Sequence, residues 1–165
     1  KHIYNTKWWW GIIQVMSIVP FIMDHLRAIT PREFEYNEMV ILGNPFEIVE
    51  AYLRSGPAMT IIVNDKVIAV GGIGKLWNGV GEAWMVTTNG VTKYPLSFHR
   101  SVINIMNNIS ESLNLWRIQT SIKFDNYISS SWVQRLGFNF EGEMPGYGPD
   151  GSMYLRFGRI KQCHS

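Results

Sequence analysis

Apolar side chains recur along the chain with two different periods, and the period indicates which segments are helices and which are strands. Between 97 and 115 the apolar residues return every three or four positions, which predicts an amphipathic helix packed on a sheet. Between 116 and 122 they alternate with polar residues, which predicts a strand. A third segment, 80–88, predicts a strand before the helix. Because a strand, a crossover helix and a strand form a parallel unit, these two strands are predicted to be parallel.

The remaining segments predict a mixed sheet around this unit. Further strands are expected at 12–17, 59–63, 67–73, 139–144 and 153–160, and further helices at 19–27, from 44 to a stop at 56–57, and at 129–136. Phe21, Ile22 and Leu26 are expected on the inner side of the helix at 19–27, and Gly137 is expected to end the last helix in a left-handed conformation. The order β-α-α-β-β-β-α-β-α-β-β is that of a single-domain α/β (α+β) protein, with helices on both faces of the sheet.

The composition favours one globular domain and does not indicate a particular binding partner. The chain has 165 residues, of which 46% are hydrophobic and 17% charged, so it can bury one substantial core. Its 15 Lys and Arg are spread along the chain and its formal net charge is only +2, which argues against a nucleic-acid binder. We expect one domain over 1–165, with its core at 12–160 and a short polar tail.

Other classes of site are disfavoured by spacing. The single cysteine, Cys163, allows no internal disulfide and no thiolate cluster, and the four histidines lack a ligand spacing, so no metal site is predicted.

The apolar run at 8–23 is interrupted by polar residues and is shorter than the ~20 residues of a membrane span, which favours a strand entering a helix. Within it, Trp8, Trp9 and Trp10 form either an exposed contact patch or, as we favour, a cover for the sheet edge. Gly-Gly-Ile-Gly-Lys at 71–75 lies in a strand, whereas a nucleotide loop must open a helix.

The segment 81–138 resembles the core of the GNAT acyltransferases. The resemblance rests on Gly-Glu-Ala-Trp-Met-Val-Thr-Thr at 81–88, Asp-Asn at 125–126 and Trp-Val-Gln-Arg-Leu-Gly-Phe at 132–138. It implies a GNAT-like fold whose fourth and fifth strands are parallel but splay apart. More narrowly, Gly-Val-Gly-Glu-Ala-Trp at 79–84, Lys-Tyr-Pro at 93–95 and Tyr-Gly-Pro-Asp-Gly at 147–151 resemble a phage-encoded GNAT-like group that includes the internal virion protein A of short-tailed phages.

The resemblance implies that acetyl-CoA binds as co-substrate where the strands separate. The backbone of Trp84, Met85, Val86 and Thr87 is expected to hold the pantetheine arm, although an ordinary buried strand would have the same residues. Glu82 is expected to be the general base that deprotonates the acceptor ammonium before it attacks the thioester. The alternative is that Glu82 faces solvent or pairs with an arginine.

The loop before the long helix departs from the family pattern of a basic residue followed by alternating glycines. Lys93 falls on the basic position, but Tyr94, Leu96 and Phe98 stand where glycines are expected, and Pro95 removes a backbone donor. Side chains are therefore expected to meet the coenzyme phosphates: Ser97 as the helix cap, and Lys93, His99 and Arg100 as positive charges.

The leaving-group position also departs from the family. Val133 stands where a Tyr often protonates the coenzyme thiolate, whereas Asn126 matches the Asn commonly found after the fifth strand and is expected to contact the coenzyme. The serines at 129–131 are expected to cap a helix rather than to act in catalysis.

Two functions remain open from the sequence. The first is a coenzyme A-dependent N-acyltransferase that acts on an amine of a small molecule or a protein, and Glu82 and Asn126 favour it. The second is a non-catalytic GNAT-fold phage protein that acts in virion assembly or as an interaction module, which the missing glycines and Tyr favour. The expected location is the host cytoplasm, with virion association and other phage virion proteins as partners in the second case.

Overall fold

The structure, a computed structural model, describes residues 3–5 and 15–161. Within these ranges the strands are β1 (Ile3–Asn5), β2 (Val15–Pro20), β3 (Ala58–Val63), β4 (Lys66–Trp77), β5 (Val80–Thr87), β6 (Arg117–Lys123), β7 (Asn139–Met144) and β8 (Tyr154–Ile160). The helices of the same ranges are α1 (Met23–Ala28), α2 (Glu33–Leu42), α3 (Pro45–Ser55), α4 (Pro95–Ser112) and α5 (Tyr127–Arg135). The predictions on Trp8, Trp9, Trp10 and Cys163, and on the start of the strand at 12–17, lie outside the described residues.

The strands form one mixed sheet in the order β1-β2-β3-β4-β5-β6-β8-β7. All neighbours pair antiparallel except β5 and β6, which are parallel and joined by α4. Their pairing covers only Val80↔Arg117, Gly81↔Ile118 and Glu82↔Gln119, although both strands continue beyond it. The predicted mixed sheet with a parallel, splayed pair at its centre is therefore confirmed.

Apolar residues pack on both faces of this sheet, as the alternating strands predict. On one face, here the α4 side, residues of α4 and α5 pack on the sheet around Ile73, Ile118 and Phe157. On the opposite face, here the α3 side, α1 and α3 pack on Val70 and Val86. The side chains of β5 alternate between the two, so that Ala83 and Met85 contact the α4 side, and Trp84 and Val86 contact the α3 side.

The first helix begins later than predicted. Val19 and Pro20 pair with β3 as the end of β2, and the Phe21 N–H donates to the Ala58 carbonyl at 3.0 Å. Because the chain stays extended through Ile22, the helical period does not apply there, and Ile22 is 55% exposed instead of facing inward. Leu26 is buried as predicted.

Helix α2 is not predicted by the sequence pattern. Apart from Phe34 and Tyr36, its apolar residues are consecutive at 39–42, so they form no stripe with helical spacing. Its start is instead fixed by a backbone hydrogen bond from the Arg32 N–H to the Thr87 carbonyl at 3.1 Å. The interval between the first two predicted helices thus contains a third one.

Two predicted helix caps are wrong. Helix α4 begins at Pro95, whose fixed φ suits the first helical position, so Ser97 lies inside the helix rather than before it. Helix α5 begins at Tyr127 and is capped by Asn126, whose Oδ1 accepts from the Ser129 N–H at 3.0 Å. The serines at 129–131 consequently lie within the first turns. Gly137 has φ 89° and ends this helix as predicted. No helix of the described residues is long and apolar enough to cross a membrane.

Candidate active site

A gap opens in the sheet where β5 and β6 separate. Beyond the last paired residues, Glu82 and Gln119, the Thr120 hydroxyl donates to the Ala83 carbonyl at 3.0 Å. Alternate residues of a strand direct their backbone groups to the same edge, so Met85 faces β6 as Ala83 does. After Ala83, the next residue of β5 whose backbone faces the gap is therefore Met85.

The far end of the gap is closed by α2. The Thr87 N–H donates to Glu35 Oε2 at 2.7 Å, and the Thr87 carbonyl accepts from the Arg32 N–H at 3.1 Å. The Thr87 hydroxyl donates to Glu35 Oε1 at 2.6 Å, and the Arg32 side chain forms an ion pair with the same carboxylate. Trp84 and Val86 face the other way and pair with β4. Of the four residues predicted to hold a ligand through their backbone, Met85 alone faces the gap between two satisfied positions.

The Glu35 contacts give a testable stability prediction. Glu35→Ala is expected to lower the free energy of unfolding by about 1–3 kcal/mol, because it leaves the buried Thr87 N–H without its acceptor. Urea unfolding followed by circular dichroism measures this loss. Glu33→Ala, which removes an exposed carboxylate from the same helix, is the control and should change stability by less than about 0.5 kcal/mol. Equal losses in the two variants would contradict the role given to Glu35.

The gap leads into a cleft of about 1070 Å³ that reaches both sides of the sheet. The predicted site residues that line it are Glu82, Trp84, Met85, Val86, Thr87, His99 and Asn126. Lys93, Ser97 and Arg100 are exposed and lie outside its lining. The structure thus brings the predicted base and strand residues together but leaves most of the predicted phosphate contacts at a distance.

Glu82 is held by side chains from two neighbouring strands. Arg156 Nη1 lies 3.1 Å from Glu82 Oε2 and 3.3 Å from Oε1, and Gln119 Nε2 donates to Oε2 at 3.0 Å. Ser121 Oγ makes a longer contact of 3.4 Å to Oε1. The Glu82 side chain is only 12% exposed. The pairing with an arginine considered from the sequence is present, and Oε1 has only the longer contacts among the described residues.

Aromatic rings enclose this carboxylate on the α3 side. Tyr52 stacks on Trp84 with ring centroids 5.8 Å apart, and the Arg156 guanidinium lies 5.8 Å from the Tyr147 ring. Gly74, opposite Glu82 in β4, lets the Tyr52 ring lie close to the strand, because a Cβ at this position would be 2.7 Å from the ring. Burial, followed by the Glu82 charge, raises the pKa of the Tyr52 hydroxyl. Tyr52 is therefore a neutral wall of the cleft at physiological pH.

The loop between β5 and α4 is folded on itself. Residues Asn89–Lys93 form a 3₁₀ turn that Thr88 caps by accepting from the Gly90 N–H at 3.0 Å. The Tyr94 N–H donates back to the Val91 carbonyl at 3.1 Å. These two N–H groups therefore donate within the turn. This is expected of a loop that lacks the alternating glycines with which the family brings its backbone close to the phosphates.

Val133, at the position where the family often has a Tyr, lies on the α5 side of the cleft. Val133 is buried in the α4-side core and lines the cleft, while Trp132 stacks on Phe98 with centroids 5.4 Å apart. Asn126 Oδ1 is occupied by the α5 cap, so its amide nitrogen is the atom available to a ligand. Tyr127 also lines the cleft and is exposed.

Several residues around the site were not identified from the sequence. Gln119 and Ser121 are visible as polar positions of an alternating strand, but nothing local shows that they contact Glu82. Arg156 lies 74 positions from Glu82, so only the pairing of β8 with β6 brings them together. Glu35 belongs to the helix that the pattern did not predict.

Comparisons with known proteins find similarity in structure only. No protein-family model and no curated protein matches the chain. It is similar to Ard1 from Thermoplasma volcanium, with a TM-score of 0.68 and 12% identity over 89% of this chain and 98% of that chain. It is also similar to a GNAT family acetyltransferase from Elizabethkingia anophelis with acetyl-CoA bound, with a TM-score of 0.63 and 12% identity over 88% and 98%.

A third similar structure is an acetyltransferase from Bacillus subtilis in complex with CoA, with a TM-score of 0.63 and 14% identity over 89% of this chain and 99% of that chain. The TM-scores establish the fold, whereas sequence identities this low leave the reaction open. The chain has the GNAT acyl-CoA N-acyltransferase fold.

Proposed function

We propose that the protein is an N-acyltransferase that transfers an acetyl or acyl group from a coenzyme A thioester to an amine. The observation that carries this proposal is the largely buried Glu82 carboxylate beside the gap in the sheet, in one continuous cleft. The gap offers backbone groups to an extended, amide-bearing arm, and the carboxylate offers a proton acceptor to an amine.

The reaction needs one base and one leaving group. Glu82 Oε1 takes a proton from the acceptor ammonium, directly or through water, while Gln119 and the shorter contact of Arg156 hold the carboxylate by its other oxygen. The neutral nitrogen attacks the thioester carbonyl, the new C–N bond forms, and the C–S bond breaks to release the thiolate. The nitrogen loses a second proton as the amide forms; this proton goes to the thiolate, and the proton taken by Glu82 is released to solvent. Val133 has no proton to donate.

The acyl donor, the coenzyme A thioester, would lie along β5. The backbone of Met85 would bond the pantetheine arm, and the remaining predicted contacts, Trp84, Val86, Thr87, His99 and Asn126, would line its path through the cleft. Lys93, Ser97 and Arg100 would meet the phosphates only from the rim. At such exposed positions the two cations act through charge that salt screens.

Comparing coenzyme A thioesters with a truncated donor tests this arrangement. Acetyl-CoA is expected to raise the melting temperature, since ligand at a hundredfold excess over its Kd stabilises the native state by about 2.7 kcal/mol. Acetyl-pantetheine lacks the phosphates and the adenosine, and the difference between its shift and that of acetyl-CoA should be larger in low salt than in high salt. The double variant Lys93→Ala/Arg100→Ala should remove the salt dependence of that difference. Absence of any shift or calorimetric heat with either thioester at millimolar concentration would overturn the proposal.

The second candidate function is a non-catalytic interaction module, with a role in virion assembly as its most specific form. Two observations favour it: the self-bonded 3₁₀ turn where the family binds phosphates, and the ion pair that occupies Glu82. Phage partners and a virion location belong to this candidate, whereas an enzyme would act in the cytoplasm. A folded protein that binds neither thioester is the result that would favour it.

A further inference from the structure

The α3 side of the cleft contains a second carboxylate that the acyl-transfer site does not use. Glu38 of α2 is half-buried and lines the cleft together with Tyr147 and Tyr154. Glu35 and Glu82 each form an ion pair with an arginine, whereas Glu38 forms none among the described residues. Burial is the main reason that the pKa of Glu38 is raised. A carboxylate withdrawn from water in this way is stabilised by a cationic partner.

Tyr154 is the polar residue beside Glu38. Its side chain is 3% exposed, and its hydroxyl is buried and makes no hydrogen bond of ordinary geometry within the described residues. Burial, followed by the nearby Glu38 charge, raises the pKa of this hydroxyl. Glu38 is the neighbouring group that can accept the proton of this hydroxyl, which leaves the phenol oxygen free to accept from a ligand in the cleft.

Strand β8 sets the spacing between this pair and the proposed base. Tyr154 and Arg156 are two residues apart on one face of β8, which places them about 7 Å apart along the strand. Arg156 binds Glu82, and Tyr154 lies beside Glu38. Tyr147 spans the interval, with its ring 5.4 Å from that of Tyr154 and 5.8 Å from the Arg156 guanidinium. The partners of the two carboxylates are therefore about 7 Å apart on β8, and the Tyr147 ring lies between them.

We propose that the acceptor is a dication, an amine whose second ammonium group binds Glu38 and the Tyr154 hydroxyl oxygen while the reacting amine lies at Glu82. An ammonium group has three donors and no acceptor, which suits one carboxylate and one phenol oxygen. The rings of Tyr147 and Tyr154 add a cation–π attraction. This inference rests on the proposed function for the identity of the reacting end, but the second site binds its ammonium without any thioester.

Linear diamines and matched monoamines test the proposal. Calorimetry and thermal shift are run on the full chain without thioester, using α,ω-diaminoalkanes of three to six carbons and the 1-aminoalkane of each length. The best diamine is expected to bind about tenfold or more tighter than its monoamine, the range for a hydrogen bond to a charged group. Glu38→Gln should abolish this preference. Glu33→Gln removes the same charge from an exposed position of α2 and should keep the preference.

Each result decides one of the two proposals. Equal binding of diamines and monoamines at every length overturns the dication site, even if acetyl-CoA binds and acyl transfer occurs. Selective diamine binding without any thioester binding keeps the site and overturns the transferase. If circular dichroism shows Glu38→Gln unfolded, Tyr154→Phe replaces it, and an undiminished diamine preference in that variant overturns the site.

Discussion

Glu82→Gln is expected to lower the rate of acyl transfer by about 10²–10⁴-fold, the range for loss of a general base. The amide keeps the shape of the carboxylate and can still accept from Gln119 and Arg156, but it cannot take up a proton. Binding of the thioester along β5 should hardly change. Initial rates with saturating acetyl-CoA and an amine acceptor measure the loss.

The pH dependence separates a basic role from a structural one. The loss in Glu82→Gln should shrink as pH rises towards the pKa of the acceptor amine, because more acceptor is then already neutral. Glu111→Gln removes an exposed carboxylate from α4 and should retain the full rate. A Glu82→Gln protein that is folded and as active as the parent at neutral pH would show that this carboxylate is structural.

Phe157→Ala is expected to lower the free energy of unfolding by about 3–5 kcal/mol, the range for removing a large aromatic side chain from a core. Phe157 is 1% exposed and packs edge-on against Phe140 at 5.8 Å between ring centroids. It lies on β8 opposite Thr120, beside the start of the gap. Partial collapse around the vacated volume determines where in this range the loss falls.

Denaturant unfolding of Phe157→Ala and Phe124→Ala measures this contribution. Phe124 is 40% exposed, so the same truncation there removes much less buried area and serves as the control. A change in the midpoint with an unchanged slope would show that the loss is one of stability. A loss below about 1 kcal/mol in Phe157→Ala would contradict the packing described.

The fold was largely predictable because its centre is locally encoded. The switch from a period of two to one of 3.6 and back between 80 and 123 specifies the parallel pair, and Gly137 ends α5 because its positive φ suits glycine. Helix α2 was missed because its position depends on Thr87, more than fifty residues away in sequence. The Ser97 cap was wrong because Pro95 starts α4 two residues earlier.

The candidate site was predictable only where the sequence resembles a known pattern. Glu82 and the neighbouring β5 residues were identified from such a motif and line one cleft. Arg156 and Glu38 reach the same cleft from β8 and from the unpredicted helix, and no local pattern connects them to Glu82. Long-range contacts between single polar residues leave no period in a sequence, so they become visible only with the fold.

The bounded gap in β5 has a consequence for how the protein behaves among other polypeptides. An open strand edge is a template on which a second chain can add as a strand and begin to aggregate. Here Thr120 satisfies Ala83, and α2 satisfies Thr87 four residues later, an interval of about 13 Å along the strand. The unpaired stretch has only one residue that faces the gap, and this is too short for a foreign strand to pair with it. The protein can therefore keep an unpaired position at the centre of its sheet without offering a foreign strand a template there.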